Sequence, residues 1–271
     1  MQALRSSPPR NTGPIEVRDH GPSGRRLGNI DDCYDGSPWE LHRGELVQQL
    51  GSKDIHGILM ALITALFRTH ARRGITVMTD VYCDLSDPDS PSLRAPDIAL
   101  VSGLERPRDD VFRGVPIVAV EVRGTQSKRY LDEKVKLYLE HGWPCTWLVH
   151  AHRSEVEVVT PGSAPVIYRP GSEVPLVPEL SAYDLAAVPV TALFDEIELA
   201  RYNDGWVQAR ARAAAILDFL AARGIELPEE HHTRVAATRD PALLTAWLTA
   251  AATAPDAATF IHALAASSPA A

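Results

Sequence analysis

Three cysteines in 271 residues, Cys33, Cys83 and Cys145, lie far apart and form no CxxC pair. That excludes a disulfide framework and a zinc knuckle, and leaves reduced thiols, with Cys83 and Cys145 expected to be buried. No stretch approaches the roughly 18 to 20 consecutive apolar residues of a membrane helix, and the opening MQALRSSPPRNTG lacks the apolar centre of a signal peptide. A soluble, cytoplasmic protein with no membrane partner is expected. Positive charge is also scarce: 27 Lys and Arg stand against 35 Asp and Glu, a formal net charge of -8. A protein that grips nucleic acid by its overall field is thereby excluded, because such affinity comes from many phosphate contacts. Missing too are a GxxxxGK phosphate loop, a GxSxG elbow, HExxH and GxGxxG. His231 and His232 are neighbours, so they diverge around a helix and share no metal.

What is present is a chain with 45% apolar residues, long enough for one substantial core and a small appended module. Residues 1–36 are rich in Pro, Gly, Ser and Arg without apolar period and read as a flexible leader. Trp39-Glu40-Leu41 and Glu45-Leu46-Val47 flank Arg43-Gly44 as two short strands around a tight turn. Ile55, Ile58, Leu59, Leu62, Ile63, Leu66 and Phe67 recur at helical spacing and stop before Gly74. Strands are expected over residues 75–85, 97–101 and 116–123, the last an Ile-Val-Ala-Val-Glu-Val run suited to the centre of a sheet. Charged, turn-forming linkers at 86–92 and 103–114 separate them. A helix over 127–141 ends at Gly142, and strands follow at 145–149 and 155–160. Short extended pieces at 161–188 precede a helical turn at 190–199. From residue 200 the composition becomes alanine-rich and helical, with six arginines and no lysine. The reading is therefore an α/β domain over 37–199 and a helical extension over 200–271.

The order strand with Asp at its mouth, strand ending in Glu, helix carrying Lys assembles acids for a divalent cation. Adjacent pairing brings Asp97 and Glu121 to one sheet edge. With the backbone carbonyl of Val122 they form the oxygen set that Mg2+ prefers. Such an ion lowers the pKa of a water and stabilises charge on a phosphate, and a nearby cation, Arg123 or Lys134, would stabilise the same charge. Taken singly, Asp after Pro is a turn residue and Glu at a strand end a solvated surface group. Only the combination is specific. Between Glu121 and Tyr138, five basic residues face three acidic ones, a local excess of two positive charges beside the acidic pair.

Pro96-Asp97-Ile98-Ala99-Leu100-Val101, Val118-Ala119-Val120-Glu121-Val122, and Lys134 with Tyr138 in EKVKLYLEHGWPCTWLVH together resemble the Uma-type restriction endonucleases, a branch of the PD-(D/E)XK nucleases. The resemblance spans about residues 37–195. It takes in Glu40-Leu41, Gly44-Glu45-Leu46, His56 and Leu193-Phe194-Asp195. It implies a restriction-endonuclease-like mixed β-sheet flanked by helices, with a C-terminal α-helical extension, and a Mg2+- or Mn2+-dependent endonuclease acting on DNA. Asp97, Glu121 and Val122 would hold the metal. The superfamily places its lysine two residues after the acid, where this chain has Arg123. The Uma-type pattern instead places it on the next helix, at Lys134. An arginine does not readily lose its proton, so Lys134 takes the electrostatic role and Arg123 that of helper. Glu45 is a further candidate for the same cleft. His56 is a phosphate or metal ligand or a hydrogen-bonded structural histidine, and Tyr138, four residues after Lys134, has packing as its default role. The competing reading is a non-catalytic nuclease-like module binding partners, or a second copy of itself, through the helical extension. An RNA or transposition-associated nuclease would share the same site.

Overall fold

A computed structural model of the chain describes residues 20–34, 36–49, 54–70, 74–102, 111–124, 126–175 and 187–266. Most of the expected linker at 103–114 and part of the extended segment at 161–188 lie outside the described residues. Two units are each assembled from separate pieces of chain.

In the first unit, β1 (Trp39–His42) and β2 (Glu45–Gln48) form the expected hairpin, with Leu41 opposite Leu46 and His42 opposite Glu45. Arg43 (φ 53) and Gly44 (φ 78) both turn left-handed, as a two-residue hairpin loop requires. Three short strands, β4 (Tyr82–Asp84), β5 (Leu93–Arg94) and β7 (Val111–Phe112), extend the sheet in the order β2-β1-β5-β4-β7. Cys33, Leu41, Leu46 and Leu93 make its core. Residues 20–34, assigned above to the leader, are hydrogen-bonded: Gly28 N–H donates to the Gly44 carbonyl, and Leu46 N–H to that of Arg26. Glycine at 28 permits this approach, since a Cβ there would lie 2.5 Å from Leu46 Cγ.

The second unit is built on a six-stranded sheet, β11-β10-β9-β8-β6-β3, comprising β3 (Ile75–Thr79), β6 (Ile98–Ser102), β8 (Val118–Arg123), β9 (Thr146–His150), β10 (Glu155–Val159) and β11 (Val166–Tyr168). Only the β8 and β9 pairing is parallel in this sheet, the connection being α2 (Lys128–Glu140). The expected strand over 75–85 is two strands, because Asp80 turns left-handed (φ 52) and sends β4 into the other unit. Side chains alternate across the sheet. Val118, Val120 and Val122 join Leu59, Ile63, Leu66 and Phe67 of α1 (Asp54–His70) in the main core. Leu148 meets Val135 of α2 in a smaller cluster. Ser127 caps α2 by accepting from Tyr130 N–H, and Gly142 (φ 74) follows its last turn.

A small antiparallel pair, β12 (Glu173–Pro175) and β13 (Ala187–Pro189), leads into α3 (Val190–Phe194). Asp195 then accepts from Ile197 and Glu198 N–H and starts α4 (Glu196–Ala222), followed by α5 (Glu229–Ala237), α6 (Pro241–Thr253) and α7 (Ala257–Ala266). The boundary expected at residue 200 falls inside α4. This helix places Leu199 in the main core, while its Ala213, Ile216 and Leu220 pack with Leu244, Trp247 and Phe260 in a second core. The apolar residues that suggested assembly through this extension are largely consumed in that intrachain core, although Leu248 stays exposed. All three cysteines are free and buried, Cys33 included. Among the described residues no helix is long and apolar enough to cross a membrane.

Candidate active site

The site forms where β6 begins and β8 ends. Ile98 pairs with Val120 and Ala99 with Ala119, so one further step in the same antiparallel register sets Asp97 opposite Glu121. Proline at 96 favours extended backbone before it and leaves Asp97 at the strand mouth rather than within the ladder. There the Asp97 carboxylate turns back onto the sheet end: Oδ2 accepts from Val122 N–H at 2.6 Å and lies 3.1 Å from His56 Nε2, at the first turn of α1.

Glu121 is 1% exposed and its two oxygens are held separately. Lys134 Nζ donates to Oε2 at 2.9 Å, and the Tyr138 hydroxyl donates to Oε1 at 2.8 Å. Both donors come from α2, one helical turn apart, which is the spacing that puts i and i+4 side chains on one face. Tyr138 is fixed in turn by Trp143, stacked on its ring at 3.9 Å between centroids and 15° between planes. Lys134 also lies 5.7 Å from the Tyr130 ring centroid, a cation over an aromatic face. A charge buried in this way is costly unless paired and hydrogen-bonded, and here both conditions hold.

The electrostatics converge on His56. Its pKa is raised above the ordinary 6.5, first by the hydrogen bond to Asp97, against the opposing effect of burial, and further by the negative charges of Asp97, Asp80 and Glu121. Three acids thus act on one histidine, and one of them, Glu121, also pairs with the buried Lys134. Asp80 enters this set through the left-handed turn after β3, with its N–H donating to the Asp97 carbonyl at 3.3 Å.

Of the residues anticipated from sequence, Asp97, Val122, Glu121 and Lys134 are brought to this sheet end. Arg123 is the last residue of β8, half-buried, and makes no side-chain hydrogen bond or ion pair among the described residues. Glu45 belongs to the other unit, where its carboxylate accepts from the backbone N–H and the hydroxyl of Ser23. Sequence reasoning left Tyr138 as a packing residue and missed Asp80 and the Asp97 partner of His56. The i+4 spacing from Lys134 was the available signal for Tyr138. Nothing in the sequence announced the turn that carries Asp80. Among the described residues no group of three or more His, Cys, Asp or Glu side chains is preassembled around a common metal position.

A six-stranded mixed sheet flanked by helices, with acids at the mouth of one strand and the end of the next, defines a restriction-endonuclease-like α/β fold. A family model described as "Uma2: Putative restriction endonuclease" matches residues 32–189, more than half of the chain, and the protein belongs to that family. Among solved structures it is similar to the crystal structure of a putative nuclease belonging to DUF820 from Anabaena variabilis ATCC 29413, at 19% sequence identity and a TM-score of 0.51, over 62% of this chain and 93% of that one. No curated protein matches the chain. These likenesses make it a nuclease-like protein.

Proposed function

We infer that the protein is a metal-dependent endonuclease that hydrolyses phosphodiester bonds in DNA, with Asp97, Glu121 and the Val122 carbonyl as ligands of Mg2+ or Mn2+. The observation that carries this reading is the junction of Asp97 and Glu121 at one sheet end with the Lys134 ammonium 2.9 Å from Glu121. The donor set fits a hard divalent ion, being all oxygen, and a carboxylate oxygen that accepts one hydrogen bond keeps a second lone pair for a cation. When bound there, the ion would supply an activated water and neutralise charge on the scissile phosphate.

The chain's own groups do the remaining work. Lys134 and Tyr138 hold Glu121 in one orientation. Val122 N–H and His56 do the same for Asp97, which spares the acids reorganisation when substrate arrives. The Lys134 ammonium, already desolvated, supplies the fixed positive charge that a developing phosphorane needs. Arg123 helps by its charge alone. Glu45, engaged by Ser23, has no part in this scheme.

A second reading, a non-catalytic nuclease-like module, draws on one observation: both Glu121 oxygens are already occupied by α2. One assay separates the two. Purified protein is incubated with supercoiled, linear and single-stranded DNA and with RNA, in Mg2+ or Mn2+ and with an EDTA control. Metal-dependent DNA cleavage lost in Asp97→Asn and Glu121→Gln is the expected outcome. Cutting that survives EDTA, or folded protein that cuts no nucleic acid in either metal, overturns the endonuclease reading.

A further inference from the structure

The carboxyl ends of β8 and β9, the parallel pair of the sheet, frame an open depression lined by Arg123, Gly124, Gln126, His150, His152 and Arg153. We propose that this depression is a phosphate subsite for the DNA backbone, gripping a phosphodiester one or two nucleotides from the one at the acids. The proposal rests on the endonuclease reading for its substrate and shares Arg123 with it, while Gly124, Gln126, His150, His152 and Arg153 belong to the depression alone.

Three observations favour it. The first is charge. Arg123 has no side-chain partner among the described residues. Arg153 reaches Glu155 Oε2 at 3.1 Å, but the other oxygen of that carboxylate takes Arg169 at 2.9 Å, so two guanidiniums share one negative charge. His150 is paired with Glu157 and forms a buried wall, while His152 and Arg153 border the opening. The rim is therefore net positive in a protein of net charge -8. A local basic site on an acidic chain is otherwise unexplained, and guanidinium forks suit phosphate geometry.

The second is position. Arg123 lies two residues beyond Glu121 on one strand, so the two side chains leave the same face about 7 Å apart. That matches about two steps of the 3.4 Å rise per nucleotide in a DNA strand. A strand bound across Glu121 and Arg123 would thus meet the two with phosphates about two nucleotides apart.

The third is continuity. Gly124 belongs to the depression, and a Cβ on it would lie 3.4 Å from Gln126 Oε1 and 3.9 Å from His56 Cδ2. The depression therefore adjoins the histidine that holds Asp97. Its floor is set by local hydrogen bonds, Gln126 Oε1 accepting from Gly124 N–H at 2.7 Å and Arg153 N–H donating to the His150 carbonyl at 3.1 Å. In open α/β sheets, ligands collect outside the carboxyl ends of strands, where this depression lies.

The test is equilibrium binding of a short fluorescent DNA duplex to full-length protein by anisotropy, in EDTA, across about 50 to about 200 mM salt. Arg123→Ala combined with Arg153→Ala should weaken binding roughly ten-fold or more, equally for unrelated sequences, and reduce the slope of log K against log salt by about 0.9 for each phosphate no longer neutralised. The paired Arg→Lys variants should keep most of the slope, which separates missing charge from a damaged fold. In cleavage assays the alanine variant should raise KM more than it lowers kcat. Unchanged affinity and slope in the alanine variant overturns the subsite, as does a wild-type protein that binds no DNA. So does an RNA duplex that shows the arginine dependence when DNA does not. Arginine-dependent binding by a protein that never cuts would retain the subsite and remove the endonuclease reading. Cleavage indifferent to both arginines would do the reverse.

Discussion

Helix α1 carries a histidine near each end, and the two are in opposite electrostatic situations. His56, in the first turn, meets the carboxylate of Asp97 and has its pKa raised. His70, the last residue, is 1% exposed, sits 2.8 Å from the neutral amide oxygen of Asn203 and packs edge-on against Trp206, 4.6 Å between centroids. Its pKa is lowered, chiefly by burial, with the Asn203 hydrogen bond opposing. The helix dipole alone would predict the reverse, favouring a cation at the C-terminal end. Desolvation and the nearest carboxylate outweigh it. One end of the helix therefore belongs to the charged candidate site and the other to the seam with α4. A buried polar residue becomes a candidate for function only where its neighbours leave charge concentrated.

The largest expected effect lies at the charged end. Lys134→Ala should lower the cleavage rate on the order of 100-fold or more, as loss of a preorganised donor does, and Arg123→Ala by less. Single-turnover rates on protein matched by circular dichroism give the comparison, with Lys134→Arg as a control for charge. If Arg123→Ala is dead while Lys134→Ala is fully active, the two residues exchange roles. Asp97→Asn and Glu121→Gln should weaken Mg2+ binding by calorimetry as well as rate, which a purely structural acid would not do.

At the opposite end, Trp206→Ala should cost about 3 to 5 kcal/mol of stability through the cavity it leaves, read by urea denaturation. The rate per folded molecule should hold. A specific loss of rate there would break the division between the two ends of α1. Cutting the chain near residue 200 should act in the same direction and more broadly, because it removes Tyr202 and Trp206 from His70 and divides α4. Light scattering on the intact chain tests assembly through the extension. A monomer is the expected result, given that Ile216, Leu244, Trp247 and Phe260 are buried within the chain.

The smallest effects are in pH dependence, and their signs differ. A histidine whose folded pKa is raised binds its proton more tightly in the native state, so the His56 contribution is complete below its unfolded 6.5 and is lost as pH climbs through the raised value. For His70 the folded pKa is depressed, so its contribution is present above 6.5 and lost as pH falls through the lowered value. Denaturation of wild type, His56→Gln and His70→Gln at stepped pH should show the wild-type advantage over His56→Gln shrinking toward high pH and that over His70→Gln shrinking toward low pH. Slopes of the same sign would contradict the contrast.

Much of this was legible in the sequence, for local reasons. The Arg43-Gly44 hairpin, the apolar stripe of α1, the Gly142 stop of α2, and the buried β8 run follow from turn chemistry and periodicity within windows of a few residues. Asp97 and Glu121 were legible because each marks the end of an apolar run. The single strand expected over 75–85 failed because alternation continues through Asp80, while a left-handed backbone there redirects the chain. The extension was legible as helices, but its role was not. Helical apolar stripes look alike whether they bury against one another or await a partner.

The sequence by itself determined the elements, their ends and the residue types available at those ends, because capping, turn formation and hydrophobic period depend on neighbours along the chain. The tertiary structure alone decided which of those ends meet. It joined Asp97 to His56, 41 residues away in sequence, and Glu121 to Lys134 and Tyr138, and it enclosed Glu45 with Ser23 in the other unit. The physical reason is that a buried carboxylate must find its donors wherever packing delivers them, and packing is a property of the whole chain.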